Sequence, residues 1–155
     1  MAGGIYSARG FTAATAATAD HIIANLHNPD AADTITVLEI GCFKSGAGAA
    51  ADSIYVCRTT DRGTAGSTVT PDADNAWGNQ VIPPSGALLD LAAFTVQPTR
   101  GTPGMFGWVA ANVAASGFVW PCPRGIKIPP GDGLCIAQRA ATAWPGSEVY
   151  FVWEE

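Results

Sequence analysis

Short runs of strand-forming residues, separated by Gly and Pro, constrain the fold of this chain most strongly. Asp33–Phe43 is rich in β-branched residues, and Val149, Phe151 and Trp153 alternate strictly with other residues. Alternation with a period of two is typical of a strand that buries one face. The 155 residues include 18 Gly and 11 Pro, and no long amphipathic helical pattern interrupts them. We therefore predict an all-β fold, an antiparallel β-sandwich of the jelly-roll kind with about eight strands.

The strand pattern begins at Asp20, and its length fits one domain over residues 20–155. One stretch is ambiguous, because Leu88, Leu91 and Ala92 are also compatible with a helical turn. Pro129–Gly133 contains two Pro and two Gly, which predicts a tight turn. We expect this turn to close a final hairpin between the apolar runs on either side of it.

Residues 1–19 differ in composition from the rest of the chain. They include an Ala/Thr tract and three larger anchors, Ile5, Tyr6 and Phe11. We predict an extended N-terminal arm that contacts another subunit, because an arm that becomes ordered only at an interface needs apolar anchors to offset its lost entropy. The alternative is a disordered terminus.

The charge of the chain is low and acidic. Charged residues make up 14% of the sequence, the net charge is −5, and the basic residues are scattered. Binding to a phosphate backbone needs clustered Lys and Arg, so we expect no nucleic-acid partner. So few charges favour a surface that is partly covered by other subunits. Trp is a frequent interface anchor, and we assign Trp77 and Trp144 to such contacts.

The four cysteines lack the C-x-x-C spacing of zinc ribbons and redox motifs. Three lie within apolar runs, where a free Cys behaves as a small buried hydrophobe. The first residues contain no apolar signal-peptide core, and no apolar run reaches the length of a membrane span. We therefore predict free thiols, with at least Cys42 and Cys135 buried, and no membrane partner.

One segment partly matches a sequence motif of enzymes. Val37–Gly48, VLEIGCFKSGAG, is similar to the first motif of class I methyltransferases, in which a Gly-rich turn approaches S-adenosylmethionine. Glu39, Gly41, Gly46 and Gly48 match this motif. Phe43, however, stands where a second Gly is needed, and the next strand begins too soon for a crossover helix. The segment is better explained as a buried strand that ends in a loop.

The sequence contains only weak patterns for metal binding or for nucleophilic catalysis. Asp72–Asn75 has the start of a calcium loop but lacks the later Gly and Glu, so a turn is the better interpretation. His21 and His27 are too far apart along one strand to hold a metal together, and we expect surface or turn positions for both. We predict no enzyme, no cofactor and no metal site.

The block Tyr55–Pro71, YVCRTTDRGTAGSTVTP, resembles a block that recurs in virion structural proteins of tailed bacteriophages, especially head-associated proteins. The residues that carry the resemblance are Tyr55, Arg58, Thr59, Thr60, Arg62, Gly63, Thr64, Gly66, Thr70 and Pro71.

The resemblance implies a decoration or cement protein on the capsid surface of a virion, with the major capsid protein as partner. It also implies self-association, with a trimer expected first and a dimer second. A fibre or receptor-binding jelly roll that recognises surface glycan is the alternative, and the methyltransferase is a third hypothesis.

Overall fold

The computed structural model describes residues 4–16, 18–46, 52–73, 85–111 and 116–155, with only the backbone of residues 52 and 102–111. Its strands are β1 (Ile5–Thr12), β2 (Ile22–His27), β3 (Ile35–Lys44), β4 (Asp52–Thr59), β5 (Ser67–Val69), β6 (Asp72–Ala73), β7 (Leu88–Leu91), β8 (Arg100–Ala111), β9 (Gly117–Ile128), β10 (Gly133–Gln138) and β11 (Ser147–Glu154). The described residues contain no helix, and so none that is long and apolar enough to cross a membrane.

These strands form two antiparallel sheets that pack face to face as a sandwich. The front sheet has the order β6-β1-β11-β3-β9, and the back sheet has the order β5-β7-β2-β10-β4-β8. Except for β4 and β8, which pair in the back sheet, consecutive long strands alternate between the sheets, so most pairing joins parts of the chain that are distant in sequence. The all-β sandwich predicted from the sequence is confirmed.

The main core lies between the two sheets and follows the period-two pattern. On β11, Val149, Phe151 and Trp153 point inward and are fully buried, while Glu148 and Glu154 face solvent. The inner face of β10 contributes Leu134 and Ile136 to the same cluster. The residues of β3 that face inward belong to the same cluster. The sequence placed two strands inside the sandwich, and the structure confirms both of them as β3 and β11.

The prediction of an N-terminal arm is wrong for residues 5–12. Residues 5–12 pair with β11 along their whole length and form β1, an integral strand of the front sheet. Tyr6 is 3% exposed and its ring stacks on Trp153 with a centroid distance of 6.2 Å. The segment folds onto the opposite end of its own chain because β11 offers a free strand edge and a Trp face.

Three further expectations are corrected. The described residues form eleven strands rather than about eight. Leu88–Leu91 is the strand β7, because it finds a partner in β2. The turn at 129–133 closes no hairpin: β9 pairs with β3 in the front sheet and β10 pairs with β2 and β4 in the back sheet, so the turn carries the chain from one sheet to the other.

Candidate functional site

The outer face of the back sheet is covered by the chain itself. Residues 60–66 and 92–99, which we call the cover, lie over this face and are joined by backbone bonds. Thr64 N–H donates to Val96 O at 2.8 Å, and Thr60 N–H donates to Thr99 O at 2.9 Å. The cover therefore buries the part of this face that β2, β4 and β10 form.

A buried ion pair anchors the cover. Asp90 on β7 is 0% exposed, and the Arg62 guanidinium donates to both of its carboxylate oxygens, at 2.7 and 2.8 Å. The Thr68 hydroxyl on β5 donates to the same carboxylate at 2.5 Å. A bidentate pair of this kind is strong and directional, so Arg62 holds the cover to one place on the sheet.

Two glycines allow the two segments of the cover to approach each other closely. Gly63 has φ +66°, and a Cβ there would lie 2.5 Å from Val96 O. A Cβ on Gly66 would lie 2.6 Å from Ala93 O. Asp61 caps the turn, since its Oδ1 accepts from the N–H groups of Gly63 and Thr99. The conspicuous Arg/Gly part of the block 55–71 therefore serves the fold of the cover.

A second polar cluster fixes the far side of this face. The Tyr55 hydroxyl donates to Asp20 Oδ1 at 2.8 Å and accepts from Arg100 at 2.8 Å. Burial, reinforced by the bond to Asp20, raises the pKa of Tyr55 above its ordinary value. Tyr55 is therefore a neutral structural donor at neutral pH.

Two of the four cysteines lie beneath the cover and two lie in the main core between the sheets. All four are free, as predicted, and the predicted burial of Cys42 and Cys135 is confirmed, with exposed fractions of 1% and 0%. Cys57 and Cys135 face each other across β4 and β10, with their Sγ atoms 2.9 Å apart, in an apolar cluster with Ala92 and Phe94 of the cover. Burial raises the pKa of Cys135 well above its ordinary value, so its thiol stays protonated and unreactive.

His27 ends β2 beneath the same face. It is 8% exposed, so the expected surface position is wrong; the cross-strand neighbours and Arg62 enclose it. Burial, with the nearby Arg62, lowers the pKa of His27, whereas Asp90, Asp61 and Asp132 act in the opposite direction. His21 lies just before β2, with its Nε2 3.1 Å from Gln97 Nε2, and burial lowers its pKa too. The two histidines share no metal site.

The outer face of the front sheet is different, because the described chain leaves it open. Phe43 on β3 and Tyr150 on β11 lie nearly parallel there, with ring centroids 6.5 Å apart and an interplanar angle of 16°. The Phe43 ring lies over Gly117, and the Tyr150 ring lies over Gly41, where a Cβ would overlap it. The two glycines thus let the rings lie flat. We call this ring pair the platform.

The platform has a polar edge and apolar neighbours. The Tyr150 hydroxyl donates to Glu39 Oε1 at 2.6 Å, and burial together with this bond raises the pKa of Tyr150 to about 12. Strand pairing places Val119 beside Gly41 and Phe11 beside Glu148 on the same face. The exposed fractions are 61% for Phe11, 39% for Phe43 and 50% for Val119. This surface, the open face, is the strongest candidate for binding.

The residues predicted as interface anchors differ in whether the structure buries or exposes them. Phe11 is exposed and Ile5 is half-buried, so both are at the surface of the front sheet. Tyr6 and Trp144 are buried within the chain and cannot anchor a partner, which corrects their assignment. Trp144 is 1% exposed, donates to Ser147 Oγ at 2.6 Å and is covered by the Lys44 ammonium. Trp77 lies outside the described residues.

The segments with enzyme or metal character have structural roles. Val37–Lys44 belongs to β3, which is antiparallel to both neighbours, whereas the methyltransferase motif follows a parallel strand. Asp72 and Ala73 form β6, and the rest of the suggested calcium loop lies outside the described residues. Within the described ranges, no group of three or more acidic, His or Cys residues could hold a metal ion.

Sequence reasoning missed the platform, although Glu39, Gly41 and Phe43 were all considered as parts of a cofactor motif. The available signal was the Gly-x-Phe spacing on a strand, which places a gap and a ring on the same face. Comparison with known protein families, with curated proteins and with solved structures finds no match for this chain.

Proposed function

We propose that the sandwich is a jelly roll with an insertion. The eight long or central strands are β1, β2, β3, β4, β8, β9, β10 and β11. Counted in this order, the first, eighth, third and sixth are neighbours in the front sheet, and the second, seventh, fourth and fifth are neighbours in the back sheet. This order supports a jelly roll, an architecture used in viral capsid and lectin domains. The small strands β5, β6 and β7 belong to the insertion between β4 and β8.

We propose further that the protein is a structural component of a tailed-phage virion, a decoration protein that binds the outside of the capsid. The resemblance of the block 55–71 to head-associated proteins supports this role, because its Arg62, Gly63 and Gly66 stabilise a feature of the fold, the cover. Because these residues stabilise the fold, their resemblance concerns the fold. The function therefore has to be argued from an exposed surface of the molecule.

The observation that carries the proposal is the open face. Large apolar residues stand together there on a flat sheet, and a soluble chain exposes such a patch at a cost unless a partner covers it. With charged residues at only 14% of the sequence, little repulsion opposes docking onto another protein. An exposed apolar face of this kind is suited to bridging neighbouring capsid subunits.

The role is mechanical and requires no cofactor, no catalytic step and no contact with nucleic acid or membrane. Each copy contributes one modest interface with the major capsid protein, and many copies act together on one shell. Avidity then converts weak individual sites into strong reinforcement of the particle.

Binding to capsids that lack the protein tests this role. Wild-type protein should sediment with such capsids, and Phe43→Ser should reduce occupancy by roughly tenfold or more, as for a central aromatic anchor. Val96→Ser is the matched control, because Val96 is 59% exposed but lies on the cover. If the wild-type protein does not bind, or if Phe43→Ser binds as well as Val96→Ser, the proposed function is wrong.

A glycan-binding module is the second candidate, favoured by the platform itself. Flat aromatic rings present a negative face that suits the C–H side of a sugar ring. Glu39 and the Tyr150 hydroxyl provide hydrogen-bonding groups at its edge. Binding to a glycan array that is lost in Phe43→Ser, without capsid binding, would select this function over decoration.

A further inference from the structure

One edge of the front sheet carries a projecting aromatic side chain. On β1, β6 pairs with Tyr6 and Ser7, and none of the described strands pairs with Ala8 to Thr12 on that side. Phe11 lies in this half with 61% of its surface exposed. Beside it, across the strand pair, stands Glu148, whose side chain is 54% exposed. Phe11 and Glu148 together form what we call the knob.

The opposite edge of the same sheet carries a pocket. Between Pro121 and Ile126, β9 departs from regular pairing with β3, and Gly125 turns the chain with φ +65°. The resulting pocket, which we call the socket, has a volume of about 270 Å³. A cavity of about 150 Å³ is enough for benzene, so a phenyl ring fits. It is lined by Trp120, Pro121, Cys122, Pro123, Arg124, Gly125 and Ile126.

The charges beside the knob and the socket are complementary. Arg124 is exposed at the socket, and within the described part of the chain no carboxylate forms an ion pair with it. Glu148 has only a distant contact with Arg9, at 3.8 Å between two exposed side chains. A solvent-exposed pair of this kind contributes little and is easily exchanged. Glu148 can therefore pair with an arginine of another molecule.

The knob cannot reach the socket of its own molecule. They lie on different edges of the sheet, separated by β11 and β3, which places their strands roughly 14 Å apart at about 4.8 Å per strand. A knob and a socket at opposite edges of one molecule make a head-to-tail contact between copies. Such a contact closes as a ring, or as a two-fold dimer in which each copy inserts its knob into the socket of the other.

We propose that Phe11 of one copy inserts into the β9 socket of another copy, where Glu148 pairs with Arg124 of that copy. The contact goes beyond the proposed docking to capsids and does not depend on it. It uses Phe11 and Glu148, whereas the proposed docking to capsids centres on Phe43.

The mass of the protein in solution, measured by light scattering without capsids, tests the contact. Wild type should have the mass of two or more chains. Phe11→Ala removes the knob and should raise the concentration needed for assembly by roughly tenfold or more. Val96→Ala is the matched control for loss of an exposed apolar side chain, since Val96 is 59% exposed on the cover.

Charge reversal tests the direction of the contact. Glu148→Arg and Arg124→Glu should each disrupt assembly, and the double variant should restore it. An equimolar mixture of the two single variants should also assemble, as oligomers with an even number of copies, because every contact between unlike copies then pairs opposite charges. Arg9→Ala is the control for Glu148→Arg, because it removes the same intramolecular ion pair without changing the knob.

A monomeric wild type, or an oligomer that tolerates both Phe11→Ala and the single charge reversals, overturns the proposal. Failure of this contact leaves capsid binding by Phe43 unaffected, so the two proposals fail separately. Folding of each variant is checked by its unfolding transition, and a variant that does not fold is replaced by Phe11→Ser or Arg124→Ala, for which the same loss of assembly is expected.

Discussion

The two outer faces of the sandwich are built from similar strands but are completed differently. The back face is covered by residues 60–66 and 92–99, which are held by the buried Arg62–Asp90 pair. The front face presents Phe11, Phe43 and Val119 to solvent. The insertion between β4 and β8 provides the cover, so part of the back face is buried within the chain. Among the described side chains, the front face therefore has the larger group of exposed apolar residues for a partner.

Removal of Arg62 should have the largest effect on this contrast. Arg62→Ala leaves the Asp90 carboxylate buried without its partner, which costs about 3 kcal/mol of unfolding free energy, the lower end for a broken buried pair because Arg62 itself is partly exposed. Arg9→Ala breaks only the exposed pair with Glu148 and should cost less than about 1 kcal/mol. Urea unfolding measures both. Equal effects would show that the cover is not anchored by this pair.

Thiol labelling of the same variant shows where the damage lies. Cys57 and Cys135 lie beneath the cover, whereas Cys42 lies in the main core between the sheets. In Arg62→Ala, alkylation of Cys57 and Cys135 should become faster while Cys42 stays protected. Uniform labelling of all three would indicate global unfolding instead of an opened cover.

Disturbing the close packing of the cover should have the next largest effect on the unfolding free energy. Gly63→Ala places a Cβ at φ +66° and against Val96 O, so we expect a loss of about 2 to 3 kcal/mol. Gly131→Ala is the control, because its φ is +80° but nothing lies within 4 Å of the added Cβ. Its loss should be about 1 kcal/mol, the backbone contribution alone. The difference between the two unfolding free energies measures the close packing of the cover.

Acidification should weaken the covered side by a smaller amount. Because the folded protein lowers the pKa of His27, the unfolded chain binds more protons as the pH falls below about 6.5. The unfolding free energy should therefore be fully retained above pH 6.5 and decrease between pH 6.5 and 5, by at most about 1.4 kcal/mol per pH unit for one histidine.

Two single variants separate the contributions to this pH dependence. His27→Gln should reduce the slope, and His21→Gln should remove a further part, since burial lowers the pKa of His21 as well. Unfolding measured at pH 7.0, 6.0 and 5.0 gives the slope of each variant. An unchanged slope in His27→Gln would show that His27 does not titrate in this range.

The open face should contribute least to stability. Phe43→Ala removes a half-exposed ring and its stack with Tyr150, so the unfolding free energy should change by about 1 kcal/mol or less. Phe151→Ala, at the buried side of the same sheet, should cost about 3 to 5 kcal/mol. Thermal unfolding of both variants checks the comparison. A large loss in Phe43→Ala would mean that the front face serves the fold as the back face does.

The sequence by itself determined the all-β class, the strands β3 and β11 and the burial of Cys42 and Cys135. Each of these depends on local alternation or on apolar neighbours, which a strand displays whatever its partner. The Gly and Pro content likewise indicated many short strands with turns between them. These features are local, and local preferences survive without knowledge of the final pairing.

Only the tertiary structure decided which segments found partners. Residues 5–12 look like an arm because their Ala, Gly and Ser contribute little hydrophobic pattern, yet they pair with β11 at the far end of the chain. Trp144 looks like an interface anchor, but Lys44 and Ser147 enclose it. The identity of the open face also required the fold, because whether Phe43 is covered depends on where the 60–66 and 92–99 segments come to rest. Antiparallel pairing over such sequence distances leaves no local signal, since each strand is specified as much by its neighbours as by its own residues.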